Sequence, residues 1–221
     1  MKIKLPKEYE TGFTYFLDCK IDLSQKVLIP RIETMYWVQE AINAIKKKGK
    51  TVNALDMFSG SGCIGIAILK KTDLLCNRLD FVDKEQKSIN QIKINLEINE
   101  ISKKKFRIYK SSFFDKIPKG EYDFIFANPP YVAEKRMNEV GESVLEYEPR
   151  EALFSGKEGL DHIEIFLRKA KPFLKKEGYI YLEFDPQQKG RIEEILQKQS
   201  YSFFRFYKDQ FKKYRFVKIK K

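Results

Sequence analysis

Two segments of this 221-residue chain hold groups that could do chemistry. Asn128-Pro129-Pro130-Tyr131 follows directly on the apolar run Asp123 to Ala127. Pro129 has a carbonyl and no N–H, and Asn128 offers a side-chain carbonyl. Together they can accept both hydrogens of one planar NH₂ group while Tyr131 stacks on its plane. The lone pair of an amide or of an aromatic amine is delocalised and a poor nucleophile. Two acceptors on its hydrogens push the nitrogen towards a pyramidal, electron-rich state and aim it for in-line displacement. No strong base has to act first, because the proton becomes acidic only as the new bond forms. The clamp suits an amide and the amino group of adenine equally. The plainer alternative is a strand stopped by prolines, with no chemistry.

The second segment, Asp56-Met57-Phe58-Ser59-Gly60-Ser61-Gly62-Cys63-Ile64-Gly65, joins an apolar run to a helical one. Gly60, Gly62 and Gly65 satisfy G-x-G-x-x-G, which supplies a tight turn, close approach of a ligand to backbone and close helix packing. Asp83 ends the next strand about 20 residues on, where a carboxylate can take both hydroxyls of a ribose. A glycine-rich turn that only packs is the alternative. Of the ligands such a loop serves, a nicotinamide dinucleotide would set its pyrophosphate beside Asp56, which repels it. S-adenosyl-L-methionine, with an ammonium and a sulfonium, suits Asp56, and the helix that opens at Gly62 can face its carboxylate.

These segments need strands that end beside one another. From Thr51 onward, β-rich runs (Val52 to Met57, Arg78 to Asp83, Lys105 to Tyr109, Tyr122 to Ala127, Tyr179 to Phe184) alternate with helical ones. The helical runs are Cys63 to Lys71, Glu85 to Asn99, His162 to Leu174, with Gly178 as its cap, and Gln187 to Gln199. Thr34 to Lys48 is an amphipathic helix before them, with Trp37, Ala41 and Ile45 on one side. Tyr201 to Tyr207 and Tyr214 to Ile219 are too close for a crossover helix and should pair antiparallel. The result is a mostly parallel α/β sheet with helices on both faces. Residues 1–26 read as a short N-terminal extension, extended or hairpin, over Phe13 to Leu23, and 27–221 as the main domain.

Composition limits the partners. The formal charge is 43 − 31 = +12, which leans towards an acidic partner, although lysine is favoured all along the chain. Arg205 to Lys221 carries eight Lys or Arg against one Asp, interleaved with aromatics. This is an RNA-binding face, or a hairpin with one face buried and lysines on the other. Three cysteines at unrelated spacings and a single histidine, His162, predict a reducing cytoplasm and no metal site. No apolar run is long enough to span a membrane or to act as a secretion signal.

In this order, the glycine loop, Asp83 and the Asn-Pro-Pro-Tyr turn resemble a class I methyltransferase. Val27-Leu28-Ile29-Pro30-Arg31-Ile32-Glu33-Thr34 resembles the Leu-Ile-Pro-Arg-Pro-Glu-Thr signature of the HemK/PrmC family, the protein-(glutamine-N5) methyltransferases of peptide chain release factors. Glu148 to Arg150, Ala152 to Phe154 and Gly159 to Asp161 are similar to that family's stretch after its turn. The resemblance implies a Rossmann-like fold with a seven-stranded, mostly parallel sheet and a C-terminal antiparallel hairpin. It implies S-adenosylmethionine as cofactor, the Gly-Gly-Gln motif of a release factor as substrate, and possible ribosome or RNA contact through the basic surface. Glutamine methylation of a ribosomal protein, or N6 methylation of adenine in RNA or DNA, are the alternatives.

Carried over by residue, Phe58, Ser59, Gly60, Ser61, Gly62 and Asp83 bind the cofactor, joining Asp56 from the charge argument above, with Phe113 flanking adenine and Ser112 or Phe114 as other alignments. Asn128 touches cofactor and substrate; Asn128, Pro129 and Tyr131 are catalytic, and Pro130 joins them in binding the glutamine. Arg31 and Glu33 could shape the floor of the site, or only begin a helix capped by Thr34. The chain departs from the family at Phe58, where a glycine is usual, at Ile32, which replaces the second proline, and over Glu183 to Gln187. Only 26 residues precede Val27, too few for the family's N-terminal helical domain.

Overall fold

The computed structural model describes residues 3–119 and 122–221. It opens with helix α1 (Lys7–Thr11) and an antiparallel pair, β1 (Phe13–Phe16) and β2 (Cys19–Asp22). Then come α2 (Ile32–Lys48), β3 (Val52–Met57), α3 (Cys63–Thr72), β4 (Cys76–Asp83), α4 (Gln86–Ile98), β5 (Phe106–Lys110) and β6 (Tyr122–Ala127). After β6 the chain makes an excursion containing the short helix α5 (Glu142–Tyr147). It returns through α6 (Asp161–Ala170) to β7 (Leu174–Glu183), α7 (Lys189–Lys198), β8 (Phe203–Lys208) and β9 (Tyr214–Lys220).

Seven strands form one sheet in the order β5-β4-β3-β6-β7-β9-β8. The strands from β3 to β7 pair parallel, and β9 inserts antiparallel between β7 and β8. This is the α/β class expected from the alternating runs. Every residue of β6 is buried, as in a strand covered on both faces, where a run is continuously apolar rather than alternating. One cover is α2, whose Trp37, Val38, Ala41 and Ile45 share a cluster with Phe124 and Phe126; the other is α6, whose Ile163, Phe166 and Leu167 share a cluster with Leu55 and Ile125. The hairpin β1–β2 adds Phe16, Cys19 and Ile21 to the first of these.

Two expected boundaries are corrected. α6 stops at Ala170, a single 3₁₀ turn (Lys171–Phe173) follows, and Gly178 lies inside β7 rather than capping a helix. A Cβ on Gly178 would come 3.0 Å from the Tyr122 carbonyl, so the glycine serves strand packing. α2 begins at Ile32 with Arg31 at its N-cap, and Thr34 spends its hydroxyl elsewhere. The C-terminal aromatics are mostly packing too. Phe216 is buried and stacks on Tyr207 at 4.9 Å, and Phe206 meets Phe184 edge-on at 5.5 Å.

Candidate active site

The strand order reverses between β3 and β6, and the crevice of an open α/β sheet lies at the carboxyl ends of its strands at such a point. The loops that leave β3 and β6 are the glycine loop and the Asn-Pro-Pro-Tyr turn, so the topology brings together two segments far apart in sequence.

The glycine loop turns through left-handed backbone at Phe58, Gly60 and Gly62, with φ of 62°, 54° and 79°. Phe58 is the costly one, because a side chain disfavours that region. Its ring sits edge-on to Phe113 (5.6 Å), Phe166 (5.9 Å) and His162 (6.2 Å). Gly65 needs its missing side chain for a different reason: a Cβ there would stand 2.3 Å from Cε1 of Phe81, so α3 rests directly on β4. The Ser59 hydroxyl donates to the Asp56 carbonyl (2.7 Å) and accepts from the Val82 N–H (2.9 Å), which ties the loop to β4. Asp83 accepts the N–H groups of Gly60 and Glu85, each at 2.9 Å, and burial pushes its carboxyl up from the ordinary range against those bonds.

The Asn-Pro-Pro-Tyr turn is held by a buried carboxylate that reading the sequence missed. Glu183, at the end of β7, is wholly buried. One of its oxygens accepts from the Thr34 hydroxyl (2.7 Å) and from the Trp37 indole N–H (2.6 Å), and the other from the Tyr131 hydroxyl (3.0 Å). With its proton given to Glu183, Thr34 Oγ1 is left as an acceptor, and Asn128 Nδ2 donates to it across 3.4 Å. That order of donors turns the Asn128 NH₂ towards Thr34 and leaves the side-chain carbonyl outside the network. Burial, and then the neighbouring Glu183 charge, raise the Tyr131 phenol well above its ordinary value. The one signal in the sequence was a lone acid at the end of the otherwise apolar run Tyr179 to Phe184.

Two pockets adjoin here. Phe58, Gly60, Asp83, Ser112, Phe113 and Pro130 line the first, and Arg31, Pro129, Tyr131, Val140 and Val144 the second; Leu28, Asn128 and Ala152 belong to both. Pro130 thus faces the first pocket while Pro129 faces the second, a consequence of consecutive residues in a stiff turn. Phe113 and Ser112 both reach the wall, whereas Phe114 is core, stacked on Phe173 at 4.4 Å. Ser59, Ser61, Gly62 and Asp56 stand behind the wall. Glu33 is on neither wall; Arg31 is, its guanidinium paired with the buried Glu148 at 2.6 Å. His162, dismissed as a metal ligand, lines the first pocket, stacks on Phe113 (5.9 Å) and pairs through Nδ1 with Ser155 Oγ (2.6 Å). Burial holds its pKa below the usual imidazole value.

Residues 16–156 match the methyltransferase small domain family. The release factor glutamine methyltransferase of Francisella tularensis is 31% identical over 92% of this chain and 70% of its own length. The chain belongs to the release factor glutamine methyltransferase family. Among solved structures, the hMettl16 catalytic domain in complex with the MAT2A 3′UTR hairpin superposes with a TM-score of 0.71 at 15% identity, over 96% of this chain and 77% of that one. The T. thermophilus 16S rRNA methyltransferase RsmC in complex with AdoMet and guanosine gives 0.66 at 16% identity, over 95% and 49%. At these identities the likeness is one of fold.

The enzyme is an S-adenosylmethionine-dependent protein glutamine methyltransferase. The residues present fit that cofactor. Asp56 is fully buried beneath the loop with one oxygen on the Gly65 N–H (3.0 Å) and the other, Oδ1, without a partner among the described residues; burial pushes its carboxyl well above the ordinary range, and a cationic ligand nearby would favour its charged form. Phe58, Phe113 and His162 supply flat apolar surface, and Asp83 a carboxylate within the same pocket. No helix among the described residues is long and apolar enough to cross a membrane.

Proposed function

We propose that this enzyme methylates N5 of the glutamine in the Gly-Gly-Gln motif of a peptide chain release factor. The observation that carries the reading is the position of Asn128, which stands in the wall of both pockets, so that an amide held by it from the second pocket lies against the first. The substrate named for the Francisella relative supports the choice of protein.

Phe58, Phe113 and His162 flank the adenine, Asp83 takes the ribose hydroxyls, and Gly60 lets the ligand approach the backbone. Ser59, Ser61 and Gly62 shape the loop, and Asp56 balances positive charge from beneath it. When bound, S-adenosylmethionine supplies an electrophilic methyl group on a sulfonium. The substrate amide enters the second pocket, where Asn128 Oδ1 and the Pro129 carbonyl accept its two hydrogens and Tyr131 covers its face. Pro130 stiffens the turn from the cofactor side. Holding both hydrogens draws the lone pair out of conjugation and fixes its direction; one of the two becomes acidic as the N–C bond forms and leaves as a proton to solvent, which restores the neutral amide in its N-methyl form. Tyr131 donates a hydrogen bond to Glu183 through its hydroxyl and keeps that proton as pH rises, so it positions the amide and is not the base.

Asn128→Ala removes one of the two acceptors. We expect kcat to fall about 10²-fold or more while affinity for the cofactor is nearly kept. Initial rates on a release factor and calorimetry with the cofactor measure both; a kcat within about twofold of wild type contradicts the reading.

A further inference from the structure

The second pocket accepts a side chain, but a protein substrate must also rest on the surface around it. One rim of that surface is apolar. Arg31 lines the pocket, and its neighbour Ile32 is 57% exposed; Tyr36, one turn further along the same face of α2, is 39% exposed. The turn between β8 and β9 touches this spot, with Gln210 Nε2 donating to the Ile32 carbonyl at 3.3 Å, and it carries Phe211, 55% exposed. That turn is rigidly built. Buried Asp209 accepts from the N–H groups of Phe211 (2.9 Å) and Lys213 (3.1 Å) and pairs with Arg215 Nε at 3.1 Å. Arg215 in turn lies within electrostatic reach of Tyr131 and Glu183. A buried carboxylate therefore fixes a phenyl ring in water beside the pocket, with exposed Lys212 and Lys213 next to it. An apolar patch with a charged rim marks an interaction surface.

We infer that Ile32, Tyr36 and Phe211 dock the folded protein that carries the glutamine, seating an apolar side chain flanked by acidic groups. This rests on the glutamine reading above. Tyr36 and Phe211 would also offer a base a flat face, so the occupant follows from position: Arg31 lines the second pocket and Ile32 is the next residue, so the protein whose side chain fills that pocket lies against this patch.

The test compares initial rates on a folded release factor and on a short peptide spanning its Gly-Gly-Gln, for wild type, Phe211→Ser and Ile32→Ser. Each variant is expected to raise KM for the folded factor about tenfold, keep kcat, and leave the peptide kinetics and cofactor affinity unchanged. An unchanged KM for the folded factor overturns the docking surface and leaves the glutamine reading standing. Equal losses on factor and peptide also overturn it, since the pocket itself was then disturbed. Weakened binding of an RNA hairpin with KM unchanged assigns the patch to RNA and overturns the proposal. If wild type methylates neither factor nor peptide, the glutamine reading falls and takes this inference with it.

Discussion

Glu183 carries three donors on two oxygens, and that count makes the site sensitive to one proton. Burial raises its pKa, against the opposing effect of the Trp37 and Thr34 bonds. Once protonated it must give up one of the three donors, so methyl transfer should fall as pH drops through this raised ionisation. Stability runs the other way. Because the folded pKa lies above the ordinary 4.5, this group's contribution to folding is fully present below that value and is lost as pH rises through the folded pKa. Wild type should therefore lose stability relative to Glu183→Gln on going alkaline while its kcat rises, and parallel kcat and denaturation profiles would show both trends. Phe58 offers a second test. Phe58→Ala keeps the left-handed backbone and loses the ring, whereas Phe58→Gly loses the ring and relieves the backbone. The glycine variant should be the more stable of the two by about 1 kcal/mol in chemical denaturation. Asn128 and Asp83 could be singled out from sequence because each stands in a short motif, and both line the first pocket. Glu183 could not, because its partners Thr34, Trp37 and Tyr131 come from two other segments and meet it only in three dimensions.

At the level of elements, the placing of the site depends on how closely α3 lies on β4. Gly65→Ala sets a methyl group into Phe81 and Leu79, with the ideal Cβ 2.3 Å and 2.6 Å from their side chains. Overpacking of this kind costs about 1–3 kcal/mol, and the displaced helix drags the loop from Phe58 to Gly62 with it. A lowered denaturation midpoint and weakened cofactor affinity should appear together; loss of one without the other would separate the helix from the loop. The alternation of helix and strand was readable because short, largely apolar runs such as β3 and β6 stand between segments of helical spacing. The end of α6 was not. Lys171 to Phe173 still has helical spacing, and only the packing of Gly178 under Leu174 and against the Tyr122 carbonyl shows that β7 has already begun.

Across the whole molecule, the excess of +12 leans towards an acidic partner, and the aromatics interleaved with lysines near the C-terminus fit either an RNA-binding face or a half-buried hairpin. The fold assigns most of those rings to itself. Phe216→Ala should destabilise the protein by about 3–5 kcal/mol, because the ring is 2% exposed and stacked on Tyr207 and Tyr181. A thermal melt measures it, and a shift of only a degree or two would mean that the hairpin is not part of the core. Sequence alone could not sort Phe216 from Phe211, since both stand among lysines; the sorting comes from β9 inserting between β7 and β8, which buries one and leaves the other at the turn. The nitrogen that receives the methyl group separates a protein substrate from a nucleic acid. Incubation with isotopically labelled S-adenosylmethionine and a release factor, followed by mass mapping of the Gly-Gly-Gln peptide, should place one labelled methyl group on the glutamine side chain, and Asn128→Ala should abolish most of it. Label found instead on the adenines of an added RNA, with the glutamine unmodified, would contradict the account.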